Sequence, residues 1–598
     1  MTRLKARKLG YTGAMTALTL FLVLFAISPL CAQAPAFTDP QRAAKLKAAL
    51  PEIEKIMVRW AEQRAVPGMS WGVVIDGEAE PSIRTMGMRD WPGKKSVETT
   101  TPFRIASMTK SFTALAILKL RDEGKLSLED EVARWIPEVG RFKYPVSDTA
   151  PLRVRVLLTH GAGFPEDNPW GDRQLGQPFE ELTAWLGKGI PWSTPPDTSF
   201  EYSNYGFALL GRIVERASGR SYRDYLENEI LKPLGMVNST LEPAEAKDSA
   251  VGYRREGGEY RVEPSLVHGA FGAMGGLVTT APDLARYVAF HLSAFPPRDG
   301  AEAGPVRRSS VREMQRLWRP SGGIAVQRNR PDQPLTARLT GYGYGLGVTS
   351  DCRFDHIVGH GGGLPGFGSY MTWLPEYGAG LFAMTNLTYA GPRAPLDEAF
   401  NVMRQTGGLR MRDHAPSPAL IKTQQALFAL WTEWKPAEAE RIAANNLFLD
   451  KSAAVRQTEL AALKKAAGQC TLAGPVRPEN WLRGEFDLSC EQGSIVRMSF
   501  TLAPTSPEPT VQYWTAQLIR PFTPAMRKAA ERAAGRKDVA SAYGACKLGP
   551  VLGGDGAKTG TIQLDCARGA AELEVALNGK GKVTKTNLAK SSLEACIP

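Results

Sequence analysis

Basic residues never bank together with aromatic ones in this chain. Lys and Arg number 73 against 61 Asp and Glu, a net charge of +12, but the excess is scattered, which argues against nucleic-acid binding. No long low-complexity run interrupts the 598 residues, and 43% apolar and 22% charged content is ordinary for a globular protein. The apolar run from Ala14 to Ile27 falls short of the roughly 20 residues that span a bilayer. Metal ligands are also wanting. His356 and His360 lie four apart, but a strand-and-loop setting without carboxylate or cysteine partners argues against zinc. Neither metal nor cofactor is expected.

What is present begins at the N-terminus. Arg3, Lys5, Arg7 and Lys8 precede the apolar run, and Ala32-Gln33-Ala34 follows it. A basic start, a short apolar middle and a small-x-small end predict a cleaved secretory signal over residues 1–34, hence a periplasmic or secreted protein with no remaining membrane span. An uncleaved N-terminal anchor is the plainer alternative. Taking those four cations from +12 leaves +8, and residues 411–598 hold 24 Lys and Arg against 18 Asp and Glu. That balance suits an anionic wall or membrane surface and equally serves solubility.

Six of the seven cysteines follow the signal. Cys470 and Cys490 lie twenty apart, as do Cys546 and Cys566, in the matching contexts "GQCTLAGPV…GEFDLSCEQG" and "GACKLGPVL…GTIQLDCARG". The match reads as an internal duplication, and export makes disulfides reasonable. One bridge per repeat is expected, Cys470–Cys490 and Cys546–Cys566, with Cys352 and Cys596 left to pair or stay free.

The chain is too long for one core. Residues 39–63 predict an amphipathic helix, followed by strands at "MSWGVVID" and near Ile83–Met88. Residues 150–320 read as mostly helical, with helices near Val154–Leu158, Asn204–Ser218, Tyr222–Ile230, Pro282–Phe290 and Val311–Trp318. Strand patterns return at Tyr342–Thr349, Phe354–Val358, Ser369–Leu374 and Gly380–Asn386, then a helix near Pro395–Arg404. The stretches 319–335 and 411–420 read as loop or linker. This order predicts an α+β fold, an antiparallel sheet flanked by helices with an inserted helical subdomain, followed by two small α+β repeats. The expected divisions are 1–34, 35–410, 411–520 and 521–598.

Chemistry concentrates in three places. Ser107-Met108-Thr109-Lys110 opens a helix, which puts serine Oγ and lysine Nζ on one face. Serine needs a base within reach, and a buried lysine has its pKa lowered toward that duty. About one Ser-x-x-Lys is expected by chance in a chain this size, so alone the motif reads as a helix cap beside a solvated lysine. Tyr202-Ser203-Asn204 and His360-Gly361-Gly362 change that balance. A tyrosine takes the serine proton if neighbouring cations lower its pKa, and an asparagine hydrogen-bonds an acyl amide. The glycines after His360, expected on an edge strand, let substrate lie alongside and donate a backbone N–H to an oxyanion.

With "VPGMSWGVVIDG", "TTPFRIASMTKSFTALAILKLRDEGKLSLEDEVARWIPE", "LLTHGAGF", "EYSNYGFALLGRIVERASGRSY", "LKPLGM", "GGLVTTAPDLARY" and "GHGGGLPGFGSYMTWLP", residues 50 to about 405 resemble the class C β-lactamase-like branch of penicillin-recognising serine hydrolases. The resemblance implies a β-lactamase/transpeptidase-like fold, with Ser107 as the acylated nucleophile and Lys110 as its proton partner. Tyr202 would be the general base, Asn204 would hold the acyl side chain, and His360 would orient the leaving-group side. The oxyanion hole would be the N–H groups of Ser107 and Gly363. Two departures bear on substrate. Dedicated β-lactamases of this branch mostly carry Lys-Thr-Gly at the third motif, where this chain has His360-Gly361-Gly362. Histidine is only partly charged near neutrality and Gly361 offers no hydroxyl, so carboxylate recognition should be weaker. "LLTHGAGF" also carries Ala162 and Phe164 where Ser and Leu are commoner, read as a packing change.

Two look-alike motifs are set aside. Lys558-Thr559-Gly560 falls at the start of a repeat strand, and Ser70, within Gly68-Met69-Ser70-Trp71-Gly72, is followed by a strand and hairpin instead of a helix. The expected function is an exported serine hydrolase acting on small esters or D-amino-acid amides and peptides, with β-lactamase or D-Ala-D-Ala carboxypeptidase as the alternative. The reading from another class is an inactive cell-envelope binding protein whose C-terminal repeats contact the wall.

Overall fold

The computed structural model describes residues 34–302, 304–327, 336–351, 353–505, 508–566 and 569–590. Residues 1–33 of the expected signal, and Cys352 and Cys596, lie outside them. Helix α1 (Leu50–Gln63) starts at a Pro51-bearing first turn, after a separate short helix Arg42–Lys47. The single helix expected over 39–63 is thus broken, because proline has no N–H to continue the ladder. The chain then runs through β1 (Gly68–Ile75), β2 (Ser82–Asp90), β3 (Lys95–Ser96), α2 (Thr109–Asp122), α3 (Asn204–Ser218) and α4 (Ala281–Ser293). It continues with β4 (Arg319–Gln327), β5 (Thr336–Tyr342), β6 (Gly347–Asp351), β7 (Ile357–Leu364), β8 (Phe367–Leu374), β9 (Ala379–Thr385) and α5 (Arg393–Gln405). The strands form one nine-stranded antiparallel sheet in the order β3-β2-β1-β9-β8-β7-β6-β5-β4.

Alternation along β1 decides which face meets which layer. Met69, Trp71, Val73 and Ile75 pack with Ile53 and Met57 of α1 and Leu396 and Phe400 of α5. Val74 points the other way, into the larger core shared with α2, α3 and α4. Two expectations for the sheet are corrected. Residues 319–327 are strand β4, not loop; this outer strand leaves Ile324 73% exposed, so no buried-face alternation marks it. The motif strand β7 is interior, paired with β8 and β6, not an edge. Its β6 pairing covers only Ile357–Gly359, so His360–Leu364 have neighbours on one side and the Ser107 turn on the other. Ser70 is buried inside β1, and Lys558 immediately precedes the strand Thr559–Cys566.

After α5, Arg412 reaches back to the Pro375 carbonyl and to Asp76, tying the connection to the sheet. Beyond it lie two units with separate cores. Each places helices first and antiparallel strands after, and each contains a disulfide, Cys470–Cys490 or Cys546–Cys566, joining residues directly opposite on neighbouring strands. Disulfides persist in oxidising compartments, which places the chain in such an environment. Among the described residues no helix is long and apolar enough to cross a membrane. Closing a loop of 20 residues constrains the unfolded chain by about 3 kcal/mol. The double substitution Cys470→Ser/Cys490→Ser is therefore expected to weaken the first unit by about that amount. Hydrogen exchange should show lost protection in 470–519 and little change in β1–β9; unchanged protection would refute it.

Candidate active site

Helix α2 buries every residue from Thr109 to Leu118, so its polar side chains must find partners inside. Thr109 Oγ1 donates to the Ala106 carbonyl at 2.7 Å and accepts from Leu277 N–H. Ser111 takes a hydrogen bond from the Tyr287 hydroxyl at 2.7 Å. These bonds hold the 3-10 turn Ala106–Met108 that leads into α2. Ala106 has φ +51°, a left-handed conformation that costs a non-glycine residue about 1 kcal/mol or more. The Ile105 carbonyl beside it accepts from Ser369 Oγ at 2.9 Å and from Met108 N–H. The serine is thus presented from a clamped, strained turn.

Lys110 is fully buried and its Nζ has three polar partners. Nζ donates to Ser107 Oγ at 3.0 Å, Asn204 Oδ1 at 2.6 Å and the Met274 carbonyl at 2.9 Å. Burial pulls its pKa down to about 7, against the opposing pull of the Asp172 and Asp167 charges. Tyr202 stands over it, ring centroid 4.9 Å from Nζ, with its hydroxyl near Ser107. The expectation that cations lower the Tyr202 pKa is not met. Burial raises it well above the ordinary phenol range, and Asp172 and Asp167 push the same way.

Asn204 begins α3, where Ser203 caps Gly206 N–H and Asp167 accepts the N–H groups of Asn204 and Tyr205 at 2.7 and 2.8 Å. The expected role of Asn204 toward an acyl amide meets a committed side chain. Its Oδ1 serves Lys110 and its Nδ2 donates to Asn168 Oδ1 at 2.6 Å. His360 is also committed. Nδ1 donates to the Gly361 carbonyl at 2.6 Å, so Nε2 must accept the Tyr342 O–H at 2.7 Å. Burial and the nearby Lys110 hold its pKa down to about 3, and the ring is neutral. Gly362 and Gly363 bring β7 against the Ser107 turn, Gly362 facing the Ile105 carbonyl and Gly363 the Tyr389 ring.

Several members of the cluster carry no motif of their own. His160 of "LLTHGAGF", with φ +54°, packs 4.2 Å from the Tyr202 ring and accepts Ser203 N–H at Nδ1. Its burial drives its pKa well below the ordinary value. Asp167, Asp172, Tyr342 and Tyr389 arrive from loops and a distant strand. Only the glycine beside His160 hints at its unusual backbone. Among the described residues no group of three or more His, Cys, Asp or Glu side chains is placed to hold a metal.

Residues 48–402 match the family model described as Beta-lactamase. Protein flp of Staphylococcus aureus (strain N315) is 27% identical over 340 residues, covering 56% of this chain and 63% of its own. Beta-lactamase-like protein 2 of Dictyostelium discoideum is 30% identical over 303 residues, 47% of this chain and 53% of its own. The chain therefore spans less than two thirds of the length of these curated relatives. The solved structure of the octameric penicillin-binding protein homologue from Pyrococcus abyssi aligns with a TM-score of 0.50 at 22% identity, over 91% of this chain and 98% of that one, a likeness of fold. The family match takes in more than half of the sequence and encloses the Ser107, Lys110, Tyr202 and His360 cluster: the chain belongs to the beta-lactamase family.

Proposed function

We propose that the protein is an exported serine hydrolase that forms an acyl-enzyme on Ser107 and takes small esters or D-amino-acid amides and peptides. Members of the beta-lactamase family are typically serine hydrolases, and the fold binds small substrates. The observation that carries the reading is Lys110 Nζ, buried, 3.0 Å from Ser107 Oγ and with its pKa drawn down to about 7. The neutral amine accepts the Ser107 proton as Oγ attacks the carbonyl carbon. The Lys110 ammonium then returns that proton to the leaving group through the Tyr202 hydroxyl, which burial keeps protonated before and after the transfer, and the same pair later takes the proton of the water that releases the acyl group. Asn204 orients Lys110, and the N–H groups of Ser107 and Gly363 receive the oxyanion. A neutral His360 and a glycine at 361 supply neither the cation nor the hydroxyl that grips a carboxylate, which ranks esters and D-amides above β-lactams. The two disulfides support export.

Incubation with a fluorophosphonate followed by intact-mass measurement should give one adduct on the wild type and none on Ser107→Ala. An equal adduct on both would sink the acyl-enzyme reading. On purified protein, p-nitrophenyl acetate turnover should exceed nitrocefin turnover; the reverse by a wide margin would overturn the ranking of substrates.

A further inference from the structure

We infer that Asp172 forms an anionic subsite on the acyl side of Ser107, and that preferred substrates carry a free α-ammonium group beside the scissile carbonyl. This rests on the Ser107 reading above and names the substrate class of that site.

Asp172 lies in the 3-10 turn Gly171–Arg173 and is only 3% exposed. Its Oδ2 accepts the Tyr389 hydroxyl at 3.1 Å. Its Oδ1 is buried and has no hydrogen-bond partner among the described residues. A carboxylate oxygen withdrawn from water without a donor is costly, so the turn holds an unfilled acceptor.

The surroundings place that carboxylate beside the Ser107 cluster. A Cβ added at Gly171 would lie 2.8 Å from the Asn204 side chain, which holds Lys110. On the other side Tyr389 lies across Gly363, where an added Cβ would come within 2.6 Å of its ring. Asp172 is thus bracketed by the Asn204–Lys110 wall and the Gly363 strand. Its charge acts on both Lys110 and Tyr202.

Of the other polar groups nearby, His160 Nε2 and the Tyr205 hydroxyl are also buried without a partner among the described residues, but neither carries a negative charge. Asn204 uses both ends of its amide, His360 uses both ring nitrogens, and Lys110 has Ser107, Asn204 and Met274 as partners. What this wall leaves open is one anionic acceptor, and an ammonium donor is its strongest complement. Burial pushes the Asp172 pKa up to about 6, which leaves the group ionised above that pH. An N-acylated substrate brings an uncharged amide and leaves the charge unpaired.

The test compares D-alanine p-nitroanilide with its N-acetyl derivative on the full-length protein, with p-nitrophenyl acetate as a reference for Ser107 chemistry. The wild type is expected to favour the free amine by about 30-fold or more in kcat/KM. Asp172→Asn should bring that ratio to within about threefold of unity, and Asp172→Glu, which keeps the charge, should restore much of it. Equal turnover of the two anilides by the wild type, a preference for the acetylated one, or ester hydrolysis without turnover of the free amine overturns the subsite and leaves the Ser107 reading standing. A preference that survives in Asp172→Asn overturns it too. Absence of both ester turnover and fluorophosphonate adduct overturns both readings. If Asp172→Asn does not fold, the wild-type pair and Asp172→Glu decide.

Discussion

Lys110→Met is expected to lower kcat/KM for p-nitrophenyl acetate by roughly 10³-fold or more, because no other neutral base reaches Ser107. His360 faces Tyr342 and Gly361, His160 faces Ser203, and the Tyr202 phenol stays protonated. Methionine is unbranched and one atom shorter than lysine, so it fills most of the same space and packing around α2 should survive. Asn204 Oδ1 and the Met274 carbonyl lose their donor, which costs about 1–3 kcal/mol for each group left unsatisfied. Removing a buried amine offsets part of that, and near-UV circular dichroism should still report a folded protein. The wild type carries a matching pH signature. Below its pKa the amine is already protonated and cannot take the serine proton. Activity should therefore rise with pH through about 7 and level off above it. The Asp172 and Asp167 charges favour protonated Lys110, and their pull is already contained in that value near 7. His360, held down to about 3, contributes nothing to that limb. A flat wild-type profile between about pH 5.5 and 8.5, or a Lys110→Met variant within tenfold of wild type, would remove lysine from the base role.

Those residues are legible in the sequence for a physical reason. Ser107 and Lys110 share a helix face whatever the rest of the fold does, and Tyr202 and Asn204 flank a helix start whose Ser203 cap is itself readable. The cysteine pairs are legible because a duplicated spacing of 20 residues places each pair opposite on adjacent strands. Asp172 and Tyr389 are not, since a contact across 217 residues leaves no local pattern. Nor is the role of Asn204, which depends on Asn168, a loop residue 36 positions away. Strand β7 shows the limit most directly. "GHGGG" has almost no side chains to alternate, and it becomes an interior strand because β8 pairs with Val358–Leu364 on one side and β6 with Ile357–Gly359 on the other. Charge logic fails in the same way. A tyrosine beside a lysine suggests a lowered pKa, but both sit in a desolvated pocket with two carboxylates, and burial outweighs the cation.

Gly362→Ala is expected to cut kcat about 100-fold or more while costing about 1–3 kcal/mol of stability. The backbone at 362 is not in the left-handed region, so alanine meets no conformational barrier there. The cost is steric. An added Cβ would sit well inside contact distance of the Ile105 carbonyl oxygen and of Ser369 Oγ. The first is backbone and cannot swing aside as a side-chain tip would. To make room, β7 must move away from the Ala106–Met108 turn or the Ile105 carbonyl must rotate. Rotation loses the Ser369 hydrogen bond at 2.9 Å and the Met108 N–H bond that holds the turn. Moving β7 carries Gly363 away from Ser107. Either response separates the proposed oxyanion donors from the nucleophile, and displacement of about 1 Å is enough for a loss near 100-fold. Stability and chemistry should therefore part company. A urea midpoint shifted modestly, with kcat collapsed and the fluorophosphonate adduct forming slowly, is the expected result. If kcat stays within threefold of wild type, close approach of β7 to the turn is not what aligns Ser107.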